Sequence, residues 1–191
     1  AKDALKKYIT EVKNNETESR IAGVPFGRDV DTSYGISETL TPIAEFNINK
    51  IDSIQPYNPE TQNGTCIHCG LNKAQQIIEK HSVGNTVYRK PVVILLTDGL
   101  PDMCWETNGV VNGECGNQEA LAAAAAVRLK DTGGNGNVIL AGIGFGDLNA
   151  TEQNGQWDNR KQLITKIKEW ASVEGDFTWV YSTDAEVATG I

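Results

Sequence analysis

Two apolar runs of strand length, separated by one segment of helix length, most constrain how this chain can fold. The first run, VVILLT at 92–97, is followed by Asp98 and Gly99, and the second run, NVILAGIGFG, occupies 137–146. The alanine-rich segment 117–133 between them has helical composition, and two consecutive glycines, Gly133 and Gly134, mark its end. Continuous apolar runs are typical of parallel strands that are buried on both faces, and a helix between two such strands predicts a right-handed crossover.

The other segments extend this alternation of helices and strands along the chain. Apolar residues recur at helical or at strand spacing, and turn residues separate the segments. The further predicted helices are 1–12, 42–54, 69–81 and 159–172, and the further predicted strands are 20–26, 31–36 and 176–182. This order predicts one α/β domain over 1–191. We expect a Rossmann-like, open and mostly parallel sheet with helices on both faces and one antiparallel edge strand.

Composition and charge exclude several classes of partner. The chain has a net charge of −8, and its 17 basic residues are scattered along the sequence. No positive stripe is therefore available for a phosphate backbone, and we expect no nucleic-acid partner. No apolar run approaches the roughly 20 residues of a membrane-spanning helix.

Two polar positions are expected at the same edge of the predicted sheet. Asp98 directly follows the strand 92–97, and ligands of such sheets bind at the carboxyl ends of the strands. Thr65 stands in NGTCIHCGLNKA, where a helix begins and places backbone N–H groups at its N-terminus. Taken singly, Thr65 is equally explained as a helix cap and Asp98 as the start of an Asp-Gly turn. The pair together favours a binding site.

The spaced segments together resemble the von Willebrand factor type A family over nearly the whole chain. AKDALKKYI is similar to that family's first helix and RIAGVPFGRDV to the next strand, while NGTCIHCGL, VVILLTDG and VILAGIGFGD match three later segments. The resemblance implies a metal-ion-dependent adhesion site, in which an Asp-x-Ser-x-Ser loop, a threonine and an aspartate hold a divalent cation. By position, it assigns Thr65 and Asp98 as metal ligands.

The Asp-x-Ser-x-Ser loop that the resemblance implies does not occur in this sequence. DTSYG at 31–35 has Asp31 and Ser33 but Gly35 at the third position, and it is interpreted as part of an edge strand. A hard cation prefers six or more oxygen ligands, so two side chains do not hold it alone. A Mg, Mn or Ca ion is therefore expected on condition that the loop belongs to the native protein.

The same comparison predicts that a first central strand is missing from this sequence. The chain begins within a helix and ends within another, so we expect a fragment of a longer protein. The missing strand would lie between 20–26 and 92–97 and pair with both. Since unpaired buried backbone groups cost about 1 to 3 kcal/mol each, residues 1–191 are not expected to fold alone as a monomer.

Four cysteines are expected near this edge. An even number in loops suggests disulfides and an oxidising compartment, and the favoured pairing joins Cys66 to Cys69 and Cys104 to Cys115. A redox role for the Cys-x-x-Cys segment and a zinc site formed by Cys66, His68, Cys69 and a later cysteine are the alternatives.

The function predicted from these features is binding rather than catalysis. No Gly-x-Ser-x-Gly segment occurs, and both histidines lie in one helical segment. We expect an adhesion module, extracellular or at the cell surface, that recognises a protein or matrix ligand and is part of a larger surface or pilus-associated protein. Asp102 and Trp105 are predicted at its ligand-binding rim. An intracellular assembly factor of the same fold is the alternative.

Two loop segments have weaker metal or phosphate patterns. GIGFG at 142–146 lacks the glycine spacing of a phosphate-binding turn, so its glycines are predicted to serve close packing. The segment 147–158 places oxygen-bearing side chains at calcium-loop spacing but has Glu152 where the glycine belongs, which favours a solvated loop.

Overall fold

The computed structural model describes eleven stretches of the chain: 2–16, 18–36, 38–55, 64–82, 90–101, 104–106, 109–111, 117–132, 138–145, 159–172 and 178–181. The helices are α1 Lys2–Asn15, α2 Asn49–Ser53, α3 Ile67–Ser82, α4 Gln118–Asp131 and α5 Asn159–Trp170. The strands are β1 Arg20–Ile21, β2 Thr41–Pro42, β3 Val92–Thr97, β4 Cys104–Glu106, β5 Gly109–Val111, β6 Ile139–Phe145 and β7 Thr178–Tyr181.

The main sheet has three parallel strands in the order β3-β6-β7. The register pairs Val92 with Ile139 and Thr97 with Gly144, and β6 continues into β7 through pairs such as Gly142 with Thr178. The predicted β-α-β unit is confirmed, because both strands are apolar runs that a helix of 14 residues connects. All three strands therefore end at the same edge of the sheet.

Helices cover both faces of this sheet. On one face, α3, α4 and the end of α5 pack on alternate residues of β3 and β6. This core contains Ile67, Leu71, Ile78, Leu95, Ala122, Ala125, Ala126, Leu129, Val138, Leu140 and Trp170. On the other face, Ala4 of α1 packs with Ile143, Ile94 and Leu96. Because successive side chains of a strand point to opposite faces, the apolar runs fill both layers.

The glycines of β6 allow α5 to approach the sheet closely, in agreement with the packing predicted for GIGFG. A Cβ on Gly142 would lie 2.2 Å from Cγ2 of Ile167, and a Cβ on Gly144 would lie 2.9 Å from its Cδ1. Ile167 is 1% exposed. Its side chain occupies the space that two missing Cβ atoms leave open.

The segment 18–55 differs from its prediction. Residues 20–26 form a strand only at β1, which pairs antiparallel with β2 in a separate two-stranded sheet. The predicted strand 31–36 is wrong, because the Asp31 carboxylate accepts hydrogen bonds from the backbone N–H and the hydroxyl of Ser33, at 2.9 and 2.6 Å. These bonds, which also lower the pKa of Asp31, and the positive φ of 61° at Gly35 form a turn.

The predicted helix 42–54 is broken into two short pieces. A 3-10 turn covers Ile43–Glu45, and Phe46 then takes an extended conformation with ψ 120°. The side chain of Asn47 accepts the N–H of Asn49 at 3.1 Å, where α2 begins. Both pieces pack on α1 in a second apolar cluster, which contains Ile9, Ile36, Ile43, Phe46 and Ile51.

One edge of the main sheet bears on the predicted topology. Among the described strands, none pairs with the edge of β3 opposite β6. The additional strand expected there stays a prediction.

None of the described helices combines the length and apolar character that crossing a membrane requires.

Candidate functional site

The carboxyl end of β3 forms a tight polar turn. The buried Thr97 hydroxyl donates a hydrogen bond to the carbonyl oxygen of Gly99 at 2.9 Å and accepts one from its N–H at 3.3 Å. These two bonds hold the residue between them, Asp98, in a turn beyond the end of the strand. Its side chain is exposed. A carboxylate is thus presented to solvent at the edge where parallel strands end.

Thr65 lies at the same edge. A Cβ placed on Gly99 would be 3.5 Å from Oγ1 of Thr65, so the threonine hydroxyl lies against the residue that follows Asp98. Gly64 precedes it with φ 143°, a conformation that other residues rarely adopt. This glycine turns the chain so that Thr65 meets the end of β3 just before α3 begins.

The segment 26–30 supports the first turn of α3 from the side. The backbone N–H of Cys66 donates to the carbonyl oxygen of Gly27 at 2.6 Å. A Cβ on Gly70 would lie 2.9 Å from Cδ1 of Phe26, which means that the aromatic ring packs directly on the helix backbone. The position of Thr65 is therefore fixed from both sides, by the main sheet and by this segment.

Cys66 and Cys69 form a disulfide across the first turn of α3, with their Cα atoms 5.3 Å apart. This is one of the two local pairings that the sequence favours. His68 lies beside the sulfurs, with its Nε2 3.6 Å from Cys66 Sγ and 3.8 Å from Cys69 Sγ. Burial lowers the pKa of His68, and the charge of Arg128 lowers it further, so the imidazole is neutral near pH 7.

The other predicted residues are less completely described. Cys104 and Trp105 lie on β4, of which the structure describes the backbone, paired with β5 in an antiparallel hairpin. This hairpin lies between β3 and α4, where no helix or strand was predicted. Asp102 and Cys115 lie outside the described residues. The whole of the weak calcium pattern at 147–158 also lies outside the described residues.

Sequence reasoning considered His68 only as one ligand of an alternative zinc site, and it missed the role of Phe26 in shaping this region. The Cys-x-His-Cys order was visible, but only the helical geometry shows that the ring turns back onto both sulfurs. The contact of Phe26 with Gly70 joins positions far apart in the chain, which no local pattern reveals.

The donor chemistry at the edge fits a hard divalent cation. Thr65 offers a hydroxyl oxygen and Asp98 a carboxylate, which are the ligand types of magnesium, manganese and calcium. The two side chains would supply part of a six-coordinate shell. Among the described residues, Asp98 belongs to no group of three or more His, Cys, Asp or Glu side chains that could hold an ion.

Comparisons with known proteins bear on the fold. No protein-family model matches the sequence, and no curated protein matches it. Among solved structures, the pilus adhesin SpaC from Lactobacillus rhamnosus GG is similar over 99% of this chain, with a TM-score of 0.64 and 15% identity. Proximal thread matrix protein 1 from the mussel byssus, in a form with a zinc-occupied MIDAS motif, is similar over 98% of this chain, with a TM-score of 0.61 and 18% identity.

These similarities concern only a part of each solved chain. The chain spans 26% of the SpaC chain and 39% of the byssal protein chain. At such low sequence identity, the similarity supports a shared fold but does not assign functional roles to residues of this chain. The protein thus has an α/β fold similar to that of a domain-sized part of a bacterial pilus adhesin and of a mussel matrix protein.

Proposed function

We propose that this chain is an extracellular adhesion module that binds its partner through a divalent cation at the edge formed by Thr65 and Asp98. The observation that carries the proposal is the position of the Thr65 hydroxyl, 3.5 Å from where a Cβ on Gly99, the residue after Asp98, would lie. Two oxygen-bearing side chains from distant parts of the chain would thereby serve as ligands at the carboxyl end of a buried parallel strand. This is the position at which open α/β sheets bind ligands.

The cation would carry positive charge, and an acidic group of the partner would complete its set of ligands. Thr65 and Asp98 would contribute one oxygen ligand each, and the Thr97 hydrogen bonds to Gly99 would hold the carboxylate in place. The protein has a net charge of −8, so an acidic partner is repelled unless a cation bridges the two surfaces. The cation thereby makes binding selective for acidic groups.

The likeness to an adhesin and to a matrix protein supports this proposal. Both names describe proteins that attach or build extracellular material. We infer by analogy that the partner is a protein, a matrix or a surface ligand, with other pilus or surface subunits included. We also infer that the chain acts by binding and not by catalysis, and that the bound ion is Mg, Mn or Ca.

Manganese binding tests the proposal directly. In native protein that contains an Asp-x-Ser-x-Ser loop to complete the ligand set, Mn²⁺ would be titrated and the free ion followed by electron paramagnetic resonance. We expect Asp98→Asn to weaken Mn²⁺ binding at least about tenfold, since it removes a charged ligand, which corresponds to about 1.4 kcal/mol. Thr65→Val, which keeps the shape and removes the hydroxyl, should weaken it as well.

Asp131→Asn is the matched control, because this exposed carboxylate lies at the end of α4, away from the edge. It should leave Mn²⁺ binding unchanged, and circular dichroism should show that all three variants fold. Equal Mn²⁺ affinity in wild type and Asp98→Asn would refute the proposed site.

The observed burial argues against the alternative of a Cys-x-x-Cys redox enzyme. Cys66 is 0% exposed and Cys69 is 7% exposed. Exchange requires an attacking thiolate to reach one of the two sulfurs. In the native fold both are shielded, which favours a structural disulfide.

A further inference from the structure

A buried group of three metal-ligating side chains lies behind the proposed edge site. Cys66, His68 and Cys69 are 0%, 4% and 7% exposed. One ligand atom of each lies within 4.8 Å of the others. Two of these atoms are sulfurs and one is an imidazole nitrogen, a set typical of zinc and not of magnesium or calcium.

The distances match a tetrahedral ion. Zinc binds sulfur at about 2.3 Å and nitrogen at about 2.0 to 2.1 Å, which places the two kinds of ligand about 3.5 to 3.6 Å apart in a tetrahedron. Nε2 of His68 is 3.6 Å from Cys66 Sγ and 3.8 Å from Cys69 Sγ, and Nδ1 is 3.5 Å from Cys66 Sγ. The imidazole nitrogens therefore lie at about the separation from the sulfurs that ligands of one ion have.

Only the separation of the two sulfurs differs between the disulfide and a metal site. Bonded sulfurs lie about 2.0 Å apart, whereas two sulfurs on one tetrahedral zinc lie about 3.8 Å apart. The Cys-x-x-Cys spacing is one that structural zinc sites use. Rotation about the Cα–Cβ bonds can supply this change while the backbone of α3 keeps its position.

Charge also favours a divalent ion here. A buried charge is costly unless it is compensated. Two thiolates and a neutral imidazole with one Zn²⁺ have no net charge, so the loaded cluster can remain buried. A monovalent ion would leave one negative charge uncompensated among apolar neighbours such as Ile67 and Leu71.

We infer that the reduced form of this chain binds one Zn²⁺, or a divalent ion of similar softness, through Cys66, His68 and Cys69. A phosphine and one water convert the disulfide into two thiols and a phosphine oxide. Zn²⁺ then displaces the two thiol protons and forms two Zn–S bonds and one Zn–N bond. The disulfide and the zinc form exclude each other, because both use the same pair of sulfurs.

Three protein ligands leave one position of a tetrahedral ion for a further ligand such as water. The zinc cluster is distinct from the edge site, because it uses sulfur and nitrogen donors from the inner side of the first turn of α3. It does not depend on the proposed adhesion function. Failure of one site therefore leaves the other untouched.

Cobalt substitution tests this inference. Protein purified throughout under phosphine and without oxygen would be titrated with Co²⁺, after alkylation of a sample has verified that the thiols are free. The variant Cys104→Ser/Cys115→Ser leaves Cys66 and Cys69 as the sole thiols. We expect one equivalent of Co²⁺ to produce thiolate-to-cobalt charge-transfer bands and the intense visible bands of tetrahedral cobalt, and Zn²⁺ to abolish them.

Variants of the three ligands decide the outcome. Cys66→Ser and Cys69→Ser should each remove most of the charge-transfer absorption, and His68→Phe should weaken Co²⁺ binding at least about tenfold, or about 1.4 kcal/mol. His81→Gln is the histidine control and Thr65→Val the edge-site control, and both should retain the bands. In wild-type protein, oxidation of the Cys66 and Cys69 thiols to the disulfide should abolish them.

Either of two results would overturn the inference. One is the absence of charge-transfer bands in reduced protein that circular dichroism shows to be folded. The other is bands of equal strength and equal Co²⁺ affinity in His68→Phe, which would show that the imidazole is not a ligand.

Discussion

Adding one methyl group at Gly142 should destabilise the protein measurably. Gly142 lies in β6, the central strand of the described sheet, and a Cβ there would lie 2.2 Å from Cγ2 of Ile167. Carbon atoms that are not bonded prefer a separation of about 3.5 to 4.0 Å. Ile167 is β-branched and its χ1 is restricted in a helix, so α5 as a whole must move away from the sheet.

The magnitude follows from two opposing terms. Overpacking a well-packed core costs about 1 to 3 kcal/mol. Replacing glycine by alanine also reduces the conformational entropy of the unfolded chain, which stabilises the folded state by about 0.4 to 1 kcal/mol. We therefore expect Gly142→Ala to lower the free energy of unfolding by about 1 to 2 kcal/mol, and the melting temperature by about 2 to 8 °C for a domain of this size.

Urea unfolding followed by circular dichroism measures this change, with an unaltered m-value as the sign that stability alone has changed. Gly99→Ala is the matched control, because its added Cβ would lie 3.5 Å from Thr65 Oγ1, an ordinary contact. In an Ile167→Ala background the clash is removed, so Gly142→Ala should cost at least about 1 kcal/mol less there. Equal costs in both backgrounds, or equal effects of Gly142→Ala and Gly99→Ala, would refute the packing argument.

Two further predictions concern the first turn of α3. Replacing Cys66 and Cys69 together by alanine should lower the free energy of unfolding by about 2 kcal/mol, which is the chain-entropy value for so short a loop. Urea unfolding without reductant measures this change. Wild-type stability in that variant would contradict a stabilising disulfide. Because burial lowers the pKa of His68 below its ordinary value of 6.5, the unfolded chain binds a proton more readily. Stability should therefore decline as the pH falls through that value, and His68→Phe should flatten this decline in a pH series of urea unfolding. An equally steep decline in His68→Phe would assign the pH dependence to other groups.

The central part of the fold could be predicted because its signals are local and strong. The runs at β3 and β6 are apolar throughout, and α3 has regular apolar positions such as Leu71, Ile77 and Ile78. Each pattern has one good structural solution, since buried parallel strands need a covering helix between them. The α/β class and the order of these elements follow from that.

The segment 18–55 could not be predicted because side chain to backbone hydrogen bonds decide its shape. Asp31 and Ser33 form a turn, and Asn47 interrupts a helical pattern. Their apolar neighbours satisfy helix or strand spacing as well as they satisfy the observed turns. Such short patterns do not identify a structure unless the packing partner, here α1, is known.

The sequence indicates the positions of Thr65 and Asp98 more directly than it indicates the position of the His68 ring beside the sulfurs. Parallel strands end at one edge, so Asp98 had a defined place, and Thr65 had a defined place at the start of a helix. Their proximity follows from topology. The contact of His68 with both sulfurs depends on side-chain rotamers in one helical turn, which no spacing rule specifies.

The chemistry of the first turn of α3 separates two kinds of cation. Thr65 presents an oxygen to the edge of the sheet, whereas the next residue, Cys66, is buried with its sulfur beside His68. Hard ions such as magnesium prefer the oxygen donors and lose their hydration water reluctantly, whereas zinc prefers the thiolates and the imidazole. Because the disulfide removes both thiolates, the oxidised protein keeps only the oxygen donors available. In an oxidising environment, the sulfur cluster would therefore not compete with the proposed edge site for a divalent cation.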